Sequence, residues 1–285
     1  MENLDFLQIA LHFDRMIDPS TDNASITAEI DEMVARIKAM ARPNADDNRK
    51  FATLRHFVYE AGDWNNNRPF SYDLDDPLGT KIENKLLSTY LQTRKGNCVS
   101  MPILILVLGE RLGLEMTLST APTHVYVQYH DKARDRWVNL ETTDGAHPAR
   151  SEYLREHFPM TDLAIENGIY MKRRNRQEIA AIMALTVSEY YSDQGRYEDV
   201  AKHSELILRH DPNNISAILH RASAFGRMME RDFHSRYPQP NLIPIHLRNK
   251  YEYMAVQNQG GFNHAESLGW RPELELQTNQ DRGSE

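Results

Sequence analysis

The sequence predicts an α+β fold in which a helix and a small antiparallel sheet form a central core, with helical regions on both sides. Apolar residues recur at helical spacing in the first third of the chain. The pattern then changes to short segments of β-forming residues between positions 116 and 140, and helical spacing returns after about Arg150. Helices and strands in separate runs are typical of α+β domains.

Length and composition fit a protein of two domains. The chain has 285 residues, of which 40% are hydrophobic and 26% charged, which is enough to build sizeable cores. We expect a first domain over 1–150, a helical region over 151–260 and a polar, partly disordered tail over 261–285. With 41 acidic and 33 basic side chains the net charge is −8, which disfavours nucleic acid and anionic lipid as partners.

Cysteine content and the N-terminal residues predict a cytoplasmic protein. Cys98 is the only cysteine, so no intrachain disulfide can form, and a lone thiol fits a reducing compartment. Residues 1–16 contain acidic side chains where a secretory signal needs basic ones. The longest apolar run, Met101–Leu108, is far shorter than the roughly 20 residues of a membrane-spanning helix. We therefore expect no membrane segment.

The first third is predicted to contain two amphipathic helices, over residues 28–42 and 51–58. Residues 63–79 are rich in Asn, Asp, Pro and Gly, which favour turns, so this stretch is predicted as a long ordered loop. The three aspartates between positions 73 and 76 lack the glycine and the distal glutamate of a calcium loop. We therefore interpret them as turn-capping residues.

A helix predicted over 81–92 leads into "GNCVSMPILILVLGERL", where Cys98 precedes an apolar run. A catalytic thiolate needs a positive environment, which a helix N-terminus and a histidine can provide. With Asn97 as the cap of the apolar helix, Pro102 would lie too deep and break a hydrogen bond. With Ser100 as the cap, Pro102 falls in the first turn, where proline is tolerated. We favour the second geometry, in which Cys98 lies just outside the helix.

Three short segments are predicted to form antiparallel strands: 116–119, 125–129 and 137–140. His124 starts the second of these strands behind a Pro-Thr turn, and Glu141 ends the third. Asn139 lies on the same face of that strand as Glu141, because side chains alternate along a strand. A suitable hairpin register would bring His124 within reach of the end of the third strand, where a polar side chain can orient the imidazole.

The order and context of these residues resemble the transglutaminase-like superfamily. The matching pieces are "GNC" (Gly96–Cys98), "THVYV" (Thr123–Val127) and "WVNLET" (Trp137–Thr142), within a core over residues 81–145. The resemblance implies a papain- or transglutaminase-like core, with Cys98 as nucleophile, His124 as base and Glu141 as orienting acid. Because the family normally has aspartate at the last position, Asn139 could instead orient the histidine, as in papain-like enzymes.

The helical segments after residue 178 resemble tetratricopeptide repeats. Gly195, Tyr197 and Pro212 stand in the relative places that the repeat requires, whereas Val200 stands where alanine is preferred. Only one and a half repeats are visible, and isolated arrays generally need about three, so we expect these helices to pack on the preceding domain. The whole chain looks most like a bacterial branch of the superfamily that joins a transglutaminase-like core to tetratricopeptide helices.

The resemblance implies a cysteine-dependent hydrolase or acyl transferase that acts on amide bonds of protein or peptide substrates. A non-catalytic alternative stays open, in which the tetratricopeptide-like helices bind a partner peptide and the core is inactive. The remaining histidines show no metal-ligand spacing, so we expect neither a metal nor a cofactor. The sequence indicates no oligomeric state and does not separate hydrolysis from transamidation, which depends on the exclusion of water.

Overall fold

The computed structural model describes residues 5–272, which form an α+β protein in two compact units. The first unit extends to Pro159 and also contains Met171–Ala180. The second unit contains Met160–Tyr170 and the chain from Ala181 onwards. Within the described part of the chain, no helix is both long enough and apolar enough to cross a membrane.

Three helices open the first unit: α1 (Phe6–Ile17), α2 (Asn23–Ala41) and α3 (Asp47–Tyr59). Each follows an aspartate whose carboxylate accepts hydrogen bonds from backbone N–H groups of the first turn, which have no partner within the helix: Asp5, Asp22 and Asp46. The helices predicted over 28–42 and 51–58 correspond to α2 and α3. Both start earlier than predicted because the capping aspartates precede the apolar pattern.

The helix predicted over 81–92 is wrong in its first half. Ile82–Lys85 forms a 3₁₀ turn, and the regular helix α4 runs from Leu87 to Thr93. The carboxylate of Asp14 on α1 accepts the backbone N–H of Ser88 at 2.8 Å. This bond satisfies one of the unpaired amides at the N-terminus of α4 and fixes where that helix begins.

A short parallel pair of strands, β1 (Ser71–Tyr72) and β2 (Lys95–Gly96), leads into the central helix α5 (Ser100–Arg111). Four antiparallel strands follow in the order β3-β4-β5-β6: β3 (Met116–Ala121), β4 (His124–Asp131), β5 (Arg136–Glu141) and β6 (His147–Ala149). The three predicted strands are confirmed. The sequence gives no signal for β6, because "HPA" contains a proline and no β-branched residue.

The helix α5 forms the centre of the first unit. Its residues from Ser100 to Gly109 are all buried, and it contacts α1, α2, α3 and α4 as well as strands β3 and β4. A helix that is apolar on every face must be covered on every face. The helix α6 (Ser151–His157) follows the sheet. This arrangement of a buried helix and a small antiparallel sheet confirms the predicted fold class.

The second unit is helical. Its main helices are α7 (Asp162–Glu166), α8 (Arg176–Asp193, which begins in the first unit), α9 (Tyr197–His210), α10 (Ile215–Met229) and α11 (Ile245–Ser267). The helix α10 packs against both α9 and α11, around a core that includes Val200, Phe225 and Met254. The turn between α8 and α9 contains Gly195 at a φ of 67°, a conformation that favours glycine. The tetratricopeptide assignment stays a prediction.

The structure describes only the first part of the predicted tail over 261–285. Residues 261–267 continue the helix α11, and residues 268–272 follow it. Residues 273–285, on which the predicted disorder falls, lie outside the described part of the chain.

Gly96 provides a test of how tightly the residues before Cys98 are packed. A Cβ atom at this position would lie 2.5 Å from Ser100 Oγ and 2.6 Å from Tyr90 Cδ2. We therefore expect Gly96→Ala to lower the free energy of unfolding by about 1–3 kcal/mol, as overpacked core sites do. Urea denaturation measures this change.

The matched control is Gly260→Ala in α11, where a Cβ meets nothing within 4 Å. Alanine is the better helix former by about 0.8–1 kcal/mol, so this variant should be slightly more stable. Equal effects of the two substitutions would contradict the close packing around Gly96.

Candidate active site

Cys98 lies in the turn between β2 and α5, two residues before the first residue of the helix. Asn97 Oδ1 accepts the backbone N–H of Val99 at 2.9 Å and that of Ser100 at 3.4 Å. In return, the Asn97 N–H donates to Ser100 Oγ at 3.2 Å. Cys98 is therefore outside the regular helix, as expected, but the predicted cap is wrong. Val99 stands at the N-cap position, and the side chain that accepts the first free amides is that of Asn97, not that of Ser100.

Pro102 is compatible with the Asn97 cap because the regular helix begins only at Ser100, so the proline lies in its first turn. The amides of Met101 and Ile103 donate to the carbonyls of Asn97 and Val99 at 3.1 Å and 3.4 Å. Between these two bonds, Pro102 has no N–H to donate to the Cys98 carbonyl. The proline thus interrupts the ladder at one position and leaves the first turn intact.

The Cys98 thiol faces the hairpin that joins β3 and β4. Its Sγ is half-buried and lies 3.8 Å from the carbonyl oxygen of Thr123. The hairpin turn consists of Pro122 and Thr123, since Ala121 pairs with His124. Thr123 has a φ of 55°, which is rare for a β-branched residue and indicates local strain. The strained turn directs the Thr123 carbonyl towards the Cys98 thiol. The next residue, His124, is the first residue of β4.

His124 and Glu141 form a buried pair. His124 Nε2 lies 2.8 Å from Glu141 Oε2, and both side chains are less than a tenth exposed. A carboxylate can only accept a hydrogen bond, so Nε2 carries the hydrogen and Nδ1 is the ring nitrogen that remains for the thiol. The other carboxylate oxygen, Oε1, accepts the backbone N–H of Thr143 at 3.1 Å and its hydroxyl at 2.6 Å.

Asn139, predicted as a supporting residue, lies elsewhere on the sheet. It pairs with Gln128 across β4 and β5, and its Oδ1 accepts the Gln128 side-chain amide at 2.8 Å. Its own amide nitrogen lies 3.4 Å from Ser151 Oγ. The structure therefore brings Cys98, His124 and Glu141 together, and the imidazole contact is made by Glu141 and not by Asn139.

The surroundings of His124 favour its charged form. Burial is the largest influence and lowers the pKa of the imidazole, but interactions with Cys98 and Glu141 outweigh it and raise the pKa to about 9. Burial likewise disfavours the Glu141 carboxylate, yet the hydrogen bonds from His124 and Thr143 lower its pKa below the usual range. At neutral pH the pair is therefore an imidazolium next to a carboxylate.

One family matches the part of the chain that carries these side chains. A family model described as the transglutaminase-like superfamily matches residues 24–161, from α2 to a point just beyond α6. Residues 24–161 belong to the transglutaminase-like superfamily. No curated protein and no solved structure matches the chain. The transglutaminase-like domain contains Cys98, His124 and Glu141, whereas α7 to α11 lie outside the match.

Two aromatic residues of the transglutaminase-like domain interact with side chains of the site and have no signal in the sequence. Phe158, at the end of α6, stacks on the His124 ring with centroids 4.3 Å apart and planes 9° apart. Burial raises the pKa of Tyr72, and an electrostatic interaction with the Cys98 side chain raises it further. Both residues reach the site from elements distant in sequence, and no spacing rule connects them to Cys98.

The aspartates of the loop before β2 act as turn caps. Asp76 accepts the backbone N–H groups of Thr80 and Lys81 at 2.9 Å and 3.2 Å, and Asp73 accepts that of Asp75 at 3.2 Å. These carboxylate oxygens are thus occupied by protein donors. No group of three metal-binding side chains occurs among residues 5–272.

The raised pKa of His124 predicts a specific titration. Because the folded value of about 9 exceeds the ordinary 6.5, protonated His124 contributes stability that is complete below the ordinary value and is lost as pH rises through about 9. In an NMR titration we expect His124 to titrate near 9 in the wild type. Glu141→Gln should lower this pKa, because the carboxylate charge is lost.

His130 is the matched internal control. Its ring contacts Glu115 and Asp135, not Glu141, so its titration should be the same in the wild type and in Glu141→Gln. A wild-type His124 that titrates near 6.5, or one that does not respond to Glu141→Gln, would contradict the described pair.

Proposed function

We propose that this protein is a cysteine-dependent acyl transferase or hydrolase that acts on amide bonds, with Cys98 as nucleophile, His124 as base and Glu141 as orienting acid. The observation that carries the proposal is the position of His124. His124 Nε2 lies 2.8 Å from Glu141 Oε2, and the interaction of the imidazole with Cys98 raises the pKa of His124. A nucleophile, a base and a third group that orients the base are the recurring requirements of this chemistry.

In the first half-reaction, His124 Nδ1 already holds the proton of the Cys98 thiol, and the Cys98 thiolate attacks the amide carbonyl carbon. The C–S bond forms as the carbonyl π pair moves onto oxygen. When the tetrahedral intermediate collapses, the C–N bond breaks and the imidazolium gives its proton to the leaving amine. The product is a thioester between Cys98 and the acyl group.

In the second half-reaction, water or a primary amine attacks the thioester. His124 Nδ1 accepts the proton of the attacking group, and the C–S bond breaks to release a carboxylic acid or a new amide. The thiolate leaves and the imidazolium partner is restored. Glu141 keeps the imidazole in the tautomer that has a lone pair on Nδ1 whenever the ring is neutral.

The backbone N–H of Cys98 is the donor best suited to stabilise the oxyanion. It donates to no acceptor among residues 5–272, and it precedes α5, whose N-terminal amides favour negative charge. An unpaired N–H on the nucleophile itself is close to the carbonyl oxygen of any group that the sulfur attacks.

The first test is the rate of Cys98 alkylation, which no second thiol obscures. We expect iodoacetamide to react near neutral pH at least about tenfold faster with Cys98 than with a model thiol, because only a few per cent of an ordinary thiol is ionised there. In His124→Ala, the alkylation rate of Cys98 should fall to that of the model thiol. With nitrophenyl acetate, mass spectrometry should detect an acetylated Cys98, and Cys98→Ala should form no adduct.

The control is His130→Ala, a histidine on the same strand as His124 that contacts other carboxylates. This variant should keep the wild-type rate of alkylation. A Cys98 that reacts like a model thiol, with no change in His124→Ala, would refute the proposal and favour the non-catalytic alternative.

A further inference from the structure

The two most exposed large apolar side chains in the described part of the first unit belong to one loop. Leu74 is 80% exposed and Leu78 is 86% exposed. The next such residues in that unit, Tyr153 and Met16, are 42% and 36% exposed. We refer to residues 72–79 as the leucine loop. Single exposed apolar residues are ordinary, but two in one short loop mark a candidate contact surface.

Both ends of the leucine loop lie against residues that directly precede Cys98. The Asp73 N–H donates to the Gly96 carbonyl at 2.8 Å. At the other end, a Cβ on Gly79 would lie 3.2 Å from Asn97 Nδ2. Leu74 directly follows Asp73, which is bonded to Gly96, and Leu78 directly precedes Gly79, which lies beside the Asn97 side chain.

The loop is held rigidly while its leucines face solvent. The Tyr72 hydroxyl donates to the Pro77 carbonyl at 2.9 Å and closes the loop. The Asn84 side-chain amide donates to Asp73 and Asp76, each at 2.9 Å, and both carboxylates are buried. Both leucines are therefore exposed on a segment that hydrogen bonds hold in place.

We propose that Leu74 and Leu78 form the docking surface for an apolar side chain of the peptide whose amide Cys98 attacks. This inference rests on the proposed function and names its substrate class, an acyl-donor peptide with a leucine-like residue next to the reacting amide. The argument for this occupant is position. The leucine loop is hydrogen-bonded to Gly96, two residues before Cys98, and its Gly79 lies beside the Asn97 side chain. The Cys98 side chain also raises the pKa of Tyr72 at the start of the loop.

The test uses two matched acyloxymethyl ketones, peptidyl reagents that alkylate an active-site cysteine. One carries leucine residues and the other serine residues. Each rate is divided by the iodoacetamide rate of the same protein, which removes differences in thiol reactivity. In the wild type we expect the ratio of the leucine-reagent rate to the serine-reagent rate to be at least about 10, which corresponds to about 1.4 kcal/mol. In the double variant Leu74→Ser/Leu78→Ser this ratio should fall to within about threefold of unity, because the apolar contact area is lost.

The double variant removes no buried contact, and a thermal melt checks that it folds. Met16→Ser, at an exposed apolar position on α1, is the control and should keep the wild-type ratio. A preference that survives in the double variant, or its absence in a wild type with reactive Cys98, overturns the docking inference alone. A Cys98 that reacts like a model thiol with all three reagents overturns the proposed function and this inference together.

A second copy of the chain is the competing occupant. Analytical ultracentrifugation of the wild type and the double variant distinguishes it. A wild-type dimer that dissociates in Leu74→Ser/Leu78→Ser, with an unchanged reagent ratio, would identify the leucines as a self-association contact and overturn the proposal.

Discussion

The burial of α5 is the constraint on which the first unit depends. Every residue from Ser100 to Gly109 is buried, so four helices and two strands must surround this helix. Cys98 lies two residues before the start of this helix. A half-buried Cys98 in that position is close to the beginning of β4 and to the end of β5, although both strands follow much later in the sequence. The packing requirement of an apolar helix thus assembles the residues of the site.

The buried His124–Glu141 pair accommodates a glutamate at the position where the resemblance to the family implies an aspartate. Two buried charges are stable only when their remaining hydrogen-bonding positions are also satisfied. One oxygen of Glu141 faces the imidazole and the other accepts two hydrogen bonds from Thr143. The longer side chain spans from the last residue of β5 to His124 while it also caps the turn Thr142–Asp144. The additional methylene is accommodated by this double role.

The sequence predicts local features of this fold more reliably than it predicts contacts between distant segments. Amphipathic spacing identifies α2 and α3, and β-forming residues identify three of the four strands of the sheet. The break before α4 is missed because it depends on Asp14, which is more than seventy positions away in the chain. The choice between Asn97 and Ser100 as cap could not be made locally either, since the Ser100 hydroxyl donates to the Asn84 carbonyl at 2.7 Å.

The same holds for the candidate site. The family pattern identifies Cys98, His124 and Glu141 as candidates. The stacking of Phe158 on the imidazole depends on where α6 ends, which only the tertiary structure determines.

Asn84 joins the two parts of the site that the sequence treats as unrelated. Its carbonyl accepts the Ser100 hydroxyl at the start of α5, and its side-chain amide donates to Asp73 and Asp76 in the leucine loop. The loop and the first turn after Cys98 are therefore held by the same buried residue. A segment that is already ordered loses less conformational entropy when it binds a ligand than a flexible loop would. The buried carboxylates of Asp73 and Asp76 thus have a structural role: through Asn84 they hold the exposed leucines on the same residue that binds the first turn of α5.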